Sequence, residues 1–300
     1  MIAFGARLHA AMGERGPFCA GIDPHRELLQ EWGIGEDLAG LETFAMTAVE
    51  ALAPVVAAIK PQSAFFERFG SRGIAVLERV IGTAREAGAL VILDVKRGDI
   101  GSTSQAYADA YLDPASPLAS DAITASPYLG FGSLDPMLDT AARHGAGVFV
   151  LALTSNKEAP EVQHASVGEA TVAGTMLAHL RARNSGASPL GSFGAVVGAT
   201  IGQSAERLDI NGPLLVPGIG AQGGSAADVR RIFAGVLSSV LPSSSRDVLR
   251  AGPRPAALRE SALRGVEAFA AILAEDGHGF AGREVGGQDA DRSITGPPDA

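Results

Sequence analysis

Short apolar runs recur along the chain at 18–23, 55–60, 90–96, 122–126, 147–153, 195–200, 214–218 and 238–244, each with the length and composition of a buried strand. Between them lie stretches of helical period, among them 74–87 and 171–184. Several close on a glycine where a left-handed cap is expected: Gly88, Gly145, Gly186 and Gly235. Strands that alternate with helices pair in parallel, and eight such units in about 250 residues predict a single-domain (β/α)8 TIM barrel rather than an open sheet. The barrel is expected to occupy residues 1–275. Its eighth run is weakly patterned, and the connection 30–40, with Trp32 and three glycines, suggests no element. The tail 276–300, rich in Gly, Asp and Arg and closing near Pro297 and Pro298, reads as disordered and without chemistry.

In such a barrel the active groups come from the carboxyl ends of the strands, and that is where the unusual charges fall. Asp94, Lys96 and Asp99 follow directly on the apolar run 89–93. Alternation along a strand puts Asp94 and Lys96 on one face, and Gly98 lets the chain turn and carry Asp99 back toward them. Two carboxylates beside one ammonium hold that amine protonated, as a positioned proton donor. Taken alone, the same residues fit a salt bridge at a strand end with Arg97 as an extra partner. Arg97, Gly98 and Asp99 also spell a cell-adhesion tripeptide, but nothing else in the chain looks secreted. Lys60 ends the second run and Asp23 the first; singly, one could snorkel to water and the other could start a loop. Four such residues converging on one rim favour an active site.

Composition narrows the class. A hydrophobic content of 46% over 300 residues supports a large core, and a net charge of -9 argues against nucleic acid or an anionic membrane surface as the main partner. An anionic ligand must therefore be held by local groups. The single cysteine, Cys19, cannot form an internal disulfide and reads as a buried thiol in a reducing compartment. Residues 1–11 lack a signal-peptide pattern and no run approaches the ~18 apolar residues of a membrane span, so a soluble cytoplasmic protein is expected. His9, His25, His144, His164, His179 and His278 are scattered without paired ligand spacing, so a zinc site is not expected.

After the seventh run, residues 217–224 form a glycine-rich loop, and Ser225 can cap a helix over 226–233. Gly218, Gly220 and Gly223 satisfy a dinucleotide fingerprint, but too little chain follows for that fold, and Arg246 stands where its acidic residue belongs. Arg246, after three serines at the end of the eighth run, offers a fork of donors suited to a phosphate dianion. Loops after strands seven and eight are the usual phosphate site of these barrels.

Taken in order, these segments resemble the orotidine 5'-phosphate decarboxylase family from about Phe18 to about Gly252. The Asp94, Lys96, Asp99 signature is similar to the family's central motif, 21–25 to its first strand end, and 60–62 to its second. Residues 122–130 and 154–156 resemble the longer bacterial branch, and 217–223 with Ser245 and Arg246 complete the likeness. The resemblance implies decarboxylation of orotidine 5'-phosphate to uridine 5'-phosphate without metal or organic cofactor. It implies that Lys60, Asp94, Lys96 and Asp99 form a charged array, with Lys96 protonating the pyrimidine carbon. It further implies Asp23 and Thr103 on the ribose hydroxyls, Ser155 on the pyrimidine, and Pro217, Gln222, Gly223 and Arg246 at the phosphate. A homodimer is implied as well, with Asp99 reaching into the neighbouring subunit's site. Two rival readings are a magnesium-dependent sugar-phosphate decarboxylase or aldolase on the same barrel, against which Lys60 speaks, and a non-catalytic barrel that binds uridine 5'-phosphate.

Overall fold

A computed structural model describes residues 1–202, 204–220 and 223–275; the expectation of a disordered tail at 276–300 lies outside the described residues. Eight parallel strands close into a barrel: β1 (Cys19–Ile22), β2 (Ala58–Pro61), β3 (Leu90–Arg97), β4 (Ala122–Ala125), β5 (Gly147–Leu153), β6 (Phe193–Val197), β7 (Leu214–Pro217) and β8 (Val240–Ser244). Their order around the wall is β1-β8-β7-β6-β5-β4-β3-β2, and every strand pair is parallel. The expected (β/α)8 barrel is thus the architecture found. The helices named below are α1 (Phe4–Arg15), α2 (Leu38–Leu52), α3 (Gly70–Glu86), α4 (Gly101–Leu112), α5 (Asp135–His144), α6 (Val172–Arg183), α7 (Ala226–Ile232) and α8 (Pro255–Glu275). No helix among the described residues is long and apolar enough to cross a membrane.

Two apolar layers hold the molecule together. The larger lies between the outer face of the strands and the helices; the smaller fills the barrel interior. Phe4, Leu8 and Met12 of α1, all fully buried, pack on Cys19, Ala58, Leu90, Ala122 and Phe149. Four of those five open their strands, so α1 plugs the amino-terminal end of the barrel and leaves the carboxyl end as the accessible mouth. Phe4 meets Phe149 edge to face at 5.9 Å. Arg7 pins the plug through an ion pair to buried Asp121 and a 3.0 Å hydrogen bond to the Gly145 carbonyl, while Asp121 accepts the Val91 amide at 2.9 Å. α1 is not among the helical stretches named from sequence, although Phe4, Leu8 and Met12 stand at helical spacing.

Boundaries shift where turns compete with strands. The run at 55–60 becomes a strand only from Ala58, because α2 and the turn around Pro54 use the residues before it. The run at 195–200 begins two residues earlier, at Phe193, and the run at 238–244 begins at Val240 after a single 3-10 turn over Leu237–Ser239. Gly88, Gly145, Gly186 and Gly235 all take positive φ, as expected of caps. The unassigned connection 30–40 packs Trp32 against Phe44 at 4.2 Å and donates its indole N–H to the Leu249 carbonyl at 2.8 Å, tying β1 to the chain after β8. Asp37 then caps α2 by accepting the Gly40 amide at 2.9 Å. A small antiparallel hairpin, Ser166–Val167 with Ala170–Thr171, rides on the β5–α6 connection and was not anticipated.

Candidate active site

At the mouth, β1, β2 and β3 deliver Asp23, Lys60 and Asp94 side by side, with Gly21 of β1 in register with Lys60 and Gln62 bridged to Asp94. All three charged side chains are buried. The Asp94 carboxylate accepts three hydrogen bonds: Oδ2 from Lys60 Nζ at 2.9 Å, and Oδ1 from Lys96 Nζ at 2.6 Å and from Thr124 Oγ1 at 2.8 Å. Burial alone would favour neutral Asp94, but the Lys60 and Lys96 ammonium groups outweigh it and hold the carboxyl well below the ordinary range. Burial likewise opposes the charge on Lys60, and Asp94, helped by Asp23, outweighs it to hold that amine above its usual value. The sites stay ionised together because each is the other's solvent. Lys96 differs from Lys60 in access: its side chain is 44% exposed against 7% for Lys60, so its amine is anchored at one side and open to the cavity on the other.

Strand alternation is not what brings Lys96 to Asp94. Leu93 stands opposite Ile123 and Arg97 opposite Ala125, so four steps along β3 match two along β4. Within that bulge Lys96 takes φ +45, and its amide donates to Thr124 Oγ1 at 2.9 Å. A non-glycine residue in this region is costly and is tolerated where the surroundings over-determine it. Thr124 does so, fixing the backbone of one charged residue and the carboxylate of the other.

The chain after the bulge corrects one expectation. Asp99 does not return to share the pocket with Asp94 and Lys96. The chain runs on beside β4, where Ser126 N donates to the Arg97 carbonyl at 2.8 Å, and Asp99 accepts the Ile100 amide at 2.8 Å at the start of α4. Among the described residues it makes no ion pair, so this chain alone presents two ammonium groups on one carboxylate. Thr103 lies exposed on the first turn of α4, also outside the cavity wall.

A cavity of about 520 Å³ opens above the array, lined by Asp23, Lys60, Asp94 and Lys96 and also by Pro217, Gly218, Ile219 and Arg246. Asp23 Oδ1 and Ser245 Oγ are buried with no hydrogen-bond partner among the described residues, so both can take one from a ligand. At the glycine-rich loop, Gly220 takes φ +74, a conformation that favours glycine, and a Cβ there would have to displace the Asp247 carboxylate. Ser225 and Asp228 form a capping box at the start of α7. Gly223 is exposed beside the cavity without lining it, and Gln222 lies outside the described residues. Ser155 is exposed at the end of β5, between Thr154 and Asn156, which do line the wall.

Six lining residues were given no role from sequence, although all but Ser243 lie in segments that carry the family resemblance: His25, Gln62, Thr124, Thr154, Asn156 and Ser243. Their common signal is a polar residue at or just after the carboxyl end of an apolar run. The His25 ring packs edge-on to Phe65 at 4.4 Å, and burial, with Arg246 adding, pulls its imidazole below the ordinary value against the opposing Asp23. Beneath the array Cys19 is fully buried, and burial pushes its thiol up to about 12 despite Lys60, so it is an inert part of the floor.

A sequence model of the orotidine 5'-phosphate decarboxylase / HUMPS family matches residues 16–261. The chain belongs to this family. A relative named orotidine 5'-phosphate decarboxylase from Nocardioides sp. is 74% identical over 254 residues, covering 83% of this chain and 93% of that protein. One of the same name from Streptomyces coelicolor is 61% identical over 277 residues, covering 91% of this chain and all of that protein. A crystal structure from Streptomyces avermitilis superimposes with a TM-score of 0.90 at 60% identity, covering 91% of this chain and 97% of that one. The Leishmania donovani OMP decarboxylase structure, at 33% identity and a TM-score of 0.69, covers 90% of this chain and 99% of its own. Family membership thus agrees with the barrel and with a charged mouth at its carboxyl end.

Proposed function

We propose that this protein decarboxylates orotidine 5'-phosphate to uridine 5'-phosphate in pyrimidine biosynthesis, with Lys96 as the proton donor. The observation that carries the reading is the Lys60–Asp94–Lys96 array at 2.9 and 2.6 Å on the cavity floor. Loss of carbon dioxide leaves an electron pair at the pyrimidine carbon in the ring plane, where it cannot spread into the π system. A fixed ammonium beside that carbon stabilises the developing charge before any proton moves. The C–C bond breaks, its electrons remain on carbon, and Lys96 gives a proton to that carbon and becomes a neutral amine. Its exposed side then takes a proton back from water.

The remaining assignments follow the cavity lining. Asp23, with a free oxygen, accepts from a ribose hydroxyl; Arg246 takes the phosphate, with Pro217 and Gly223 shaping that end and Gln222 as a further contact. Ser155 contacts the pyrimidine. Asp99 and Thr103 stand outside their own cavity on the rim at the start of α4, which supports a homodimer in which they complete the partner's site. Binding energy at the phosphate raises turnover as well as affinity where it orders the array.

Lys60 also separates this reading from magnesium-dependent chemistry on the same barrel, because its buried ammonium occupies the position beside Asp94 that a cation would need. The test is a spectrophotometric assay with purified protein and orotidine 5'-phosphate, with and without a chelator. Turnover unaffected by the chelator is expected. Chelator-sensitive turnover supports the metal-dependent alternative, and binding of uridine 5'-phosphate without turnover supports a non-catalytic barrel.

A further inference from the structure

The connection after β5 carries a polar relay with no part in the charged array. Gln163, at the end of the short helix Pro160–Gln163, grips Thr154 twice: its Oε1 accepts the Thr154 amide at 2.8 Å, and its Nε2 donates to Thr154 Oγ1 at 2.7 Å. The Thr154 hydroxyl can then donate only one way, and it donates to Asn156 Oδ1 at 2.7 Å. This fixes the Asn156 amide, whose Nδ2 donates to Glu158 at 3.0 Å, and the loop closes through the Ala159 amide on the Asn156 carbonyl at 3.1 Å. Thr154 and Asn156 line the cavity and Ser155 lies between them, with its backbone against Gly198 at the end of β6.

The side-chain bonds from Gln163 Nε2 through the Thr154 hydroxyl and the Asn156 amide to Glu158 run in one direction, so one amide side chain nine residues away sets the orientation of Thr154 and Asn156 on either side of Ser155. We infer that Gln163 is a positioning residue for the pyrimidine end of the site: it touches no substrate and holds Thr154, Ser155 and Asn156 in the shape that receives the base. The inference rests on the proposed decarboxylase function and extends it to a residue neither the charged array nor the phosphate loop contains. It separates two ends of the ligand, because nothing in the relay reaches Arg246.

The test compares wild type with Gln163→Leu, which removes both hydrogen bonds at similar size, and Gln163→Glu. A glutamate still accepts the Thr154 amide but lacks the Nε2 donor and recruits the Thr154 proton, so it releases Asn156 alone. Loss of both hydrogen bonds gives an expected fall in kcat/KM of at least ~10-fold for Gln163→Leu, and loss of the Nε2 donor alone a smaller fall, about 3-fold, for Gln163→Glu. Affinity for uridine 5'-phosphate is expected to fall with kcat/KM, whereas affinity for ribose 5-phosphate, which lacks the base, stays at the wild-type value. A purely structural role would move both ligands together. Unchanged kcat/KM in an active protein, or equal losses for the two ligands, overturns the inference alone. A wild type without activity on orotidine 5'-phosphate overturns the function and this inference with it. If Gln163→Leu does not fold, Gln163→Glu carries the same comparison.

Discussion

Replacing Lys96 by alanine removes one unit charge from the cavity wall and leaves the rest of the array in place. Asp94 keeps the Lys60 ammonium at 2.9 Å and the Thr124 hydroxyl at 2.8 Å, so the buried carboxylate remains compensated and the barrel is expected to fold. What disappears is the cation facing the reacting carbon. Because the Lys96 side chain is 44% exposed, a partly wet environment is the right reference. With an effective dielectric constant of about 20 and a charge separation of about 4 Å, the lost interaction is worth about 4 kcal/mol. At about 1.4 kcal/mol per decade this is a factor of at least ~10³ in turnover, before counting the lost proton donor. The assay is the absorbance change on decarboxylation, paired with inhibition by uridine 5'-phosphate, which is expected to stay close to wild type because the product holds no developing charge at that carbon. Lys96→Arg separates charge from proton transfer: it keeps the cation but not a readily surrendered proton, and is expected to remain severely impaired. A loss of tenfold or less in Lys96→Ala would refute the assigned role.

Arg246→Ala should weaken uridine 5'-phosphate by roughly 2 to 4 kcal/mol, the worth of a charge-assisted phosphate contact in a closed pocket, and unchanged affinity by titration calorimetry would remove Arg246 from the site. Lys60→Met leaves buried Asp94 with one cation and should lower stability by about 3 kcal/mol or more at pH 7. The sign of its pH dependence follows from Asp94, whose folded carboxyl is held below the ordinary range. Its contribution is complete well above the unfolded pKa of about 3.9 and is lost as pH falls below that value toward the folded pKa. Urea unfolding should therefore show the gap between wild type and Lys60→Met narrowing from pH 7 to pH 3.5, and a gap that widens contradicts the assignment. Phe4→Ala empties the centre of the barrel plug, where the ring is fully buried, and should cost about 3 to 5 kcal/mol in unfolding free energy with little change in KM.

Pattern alone determined a good deal of this protein. Eight apolar runs separated by helical stretches have few ways to bury both faces of a parallel sheet, and closure into a barrel is the one that leaves no edge. Once the barrel is set, the carboxyl ends of its strands share a rim, so Asp23, Lys60 and Asp94 were bound to meet there, and Lys96 to lie close by. Arg246 was readable for the same reason, as a cation after the last strand beside a glycine-rich turn. Other features depended on contacts between residues far apart in sequence. The α1 plug carries Phe4, Leu8 and Met12 at helical spacing, but what that stripe covers is defined by the open strand ends it fills. Thr124 is one hydroxyl in an apolar strand until β3 bulges against it and hands it both the Lys96 amide and the Asp94 carboxylate. Past the bulge the chain carries Asp99 along β4 instead of turning back across the mouth at Gly98, because Gly98 lies against the Ser126 carbonyl, a contact that residue type alone does not foresee. Residue type and spacing decided which charges gather, since burial and strand direction are local; tertiary packing decided which atoms touch, since a bulge, a left-handed residue and a relayed amide are settled by partners on neighbouring strands.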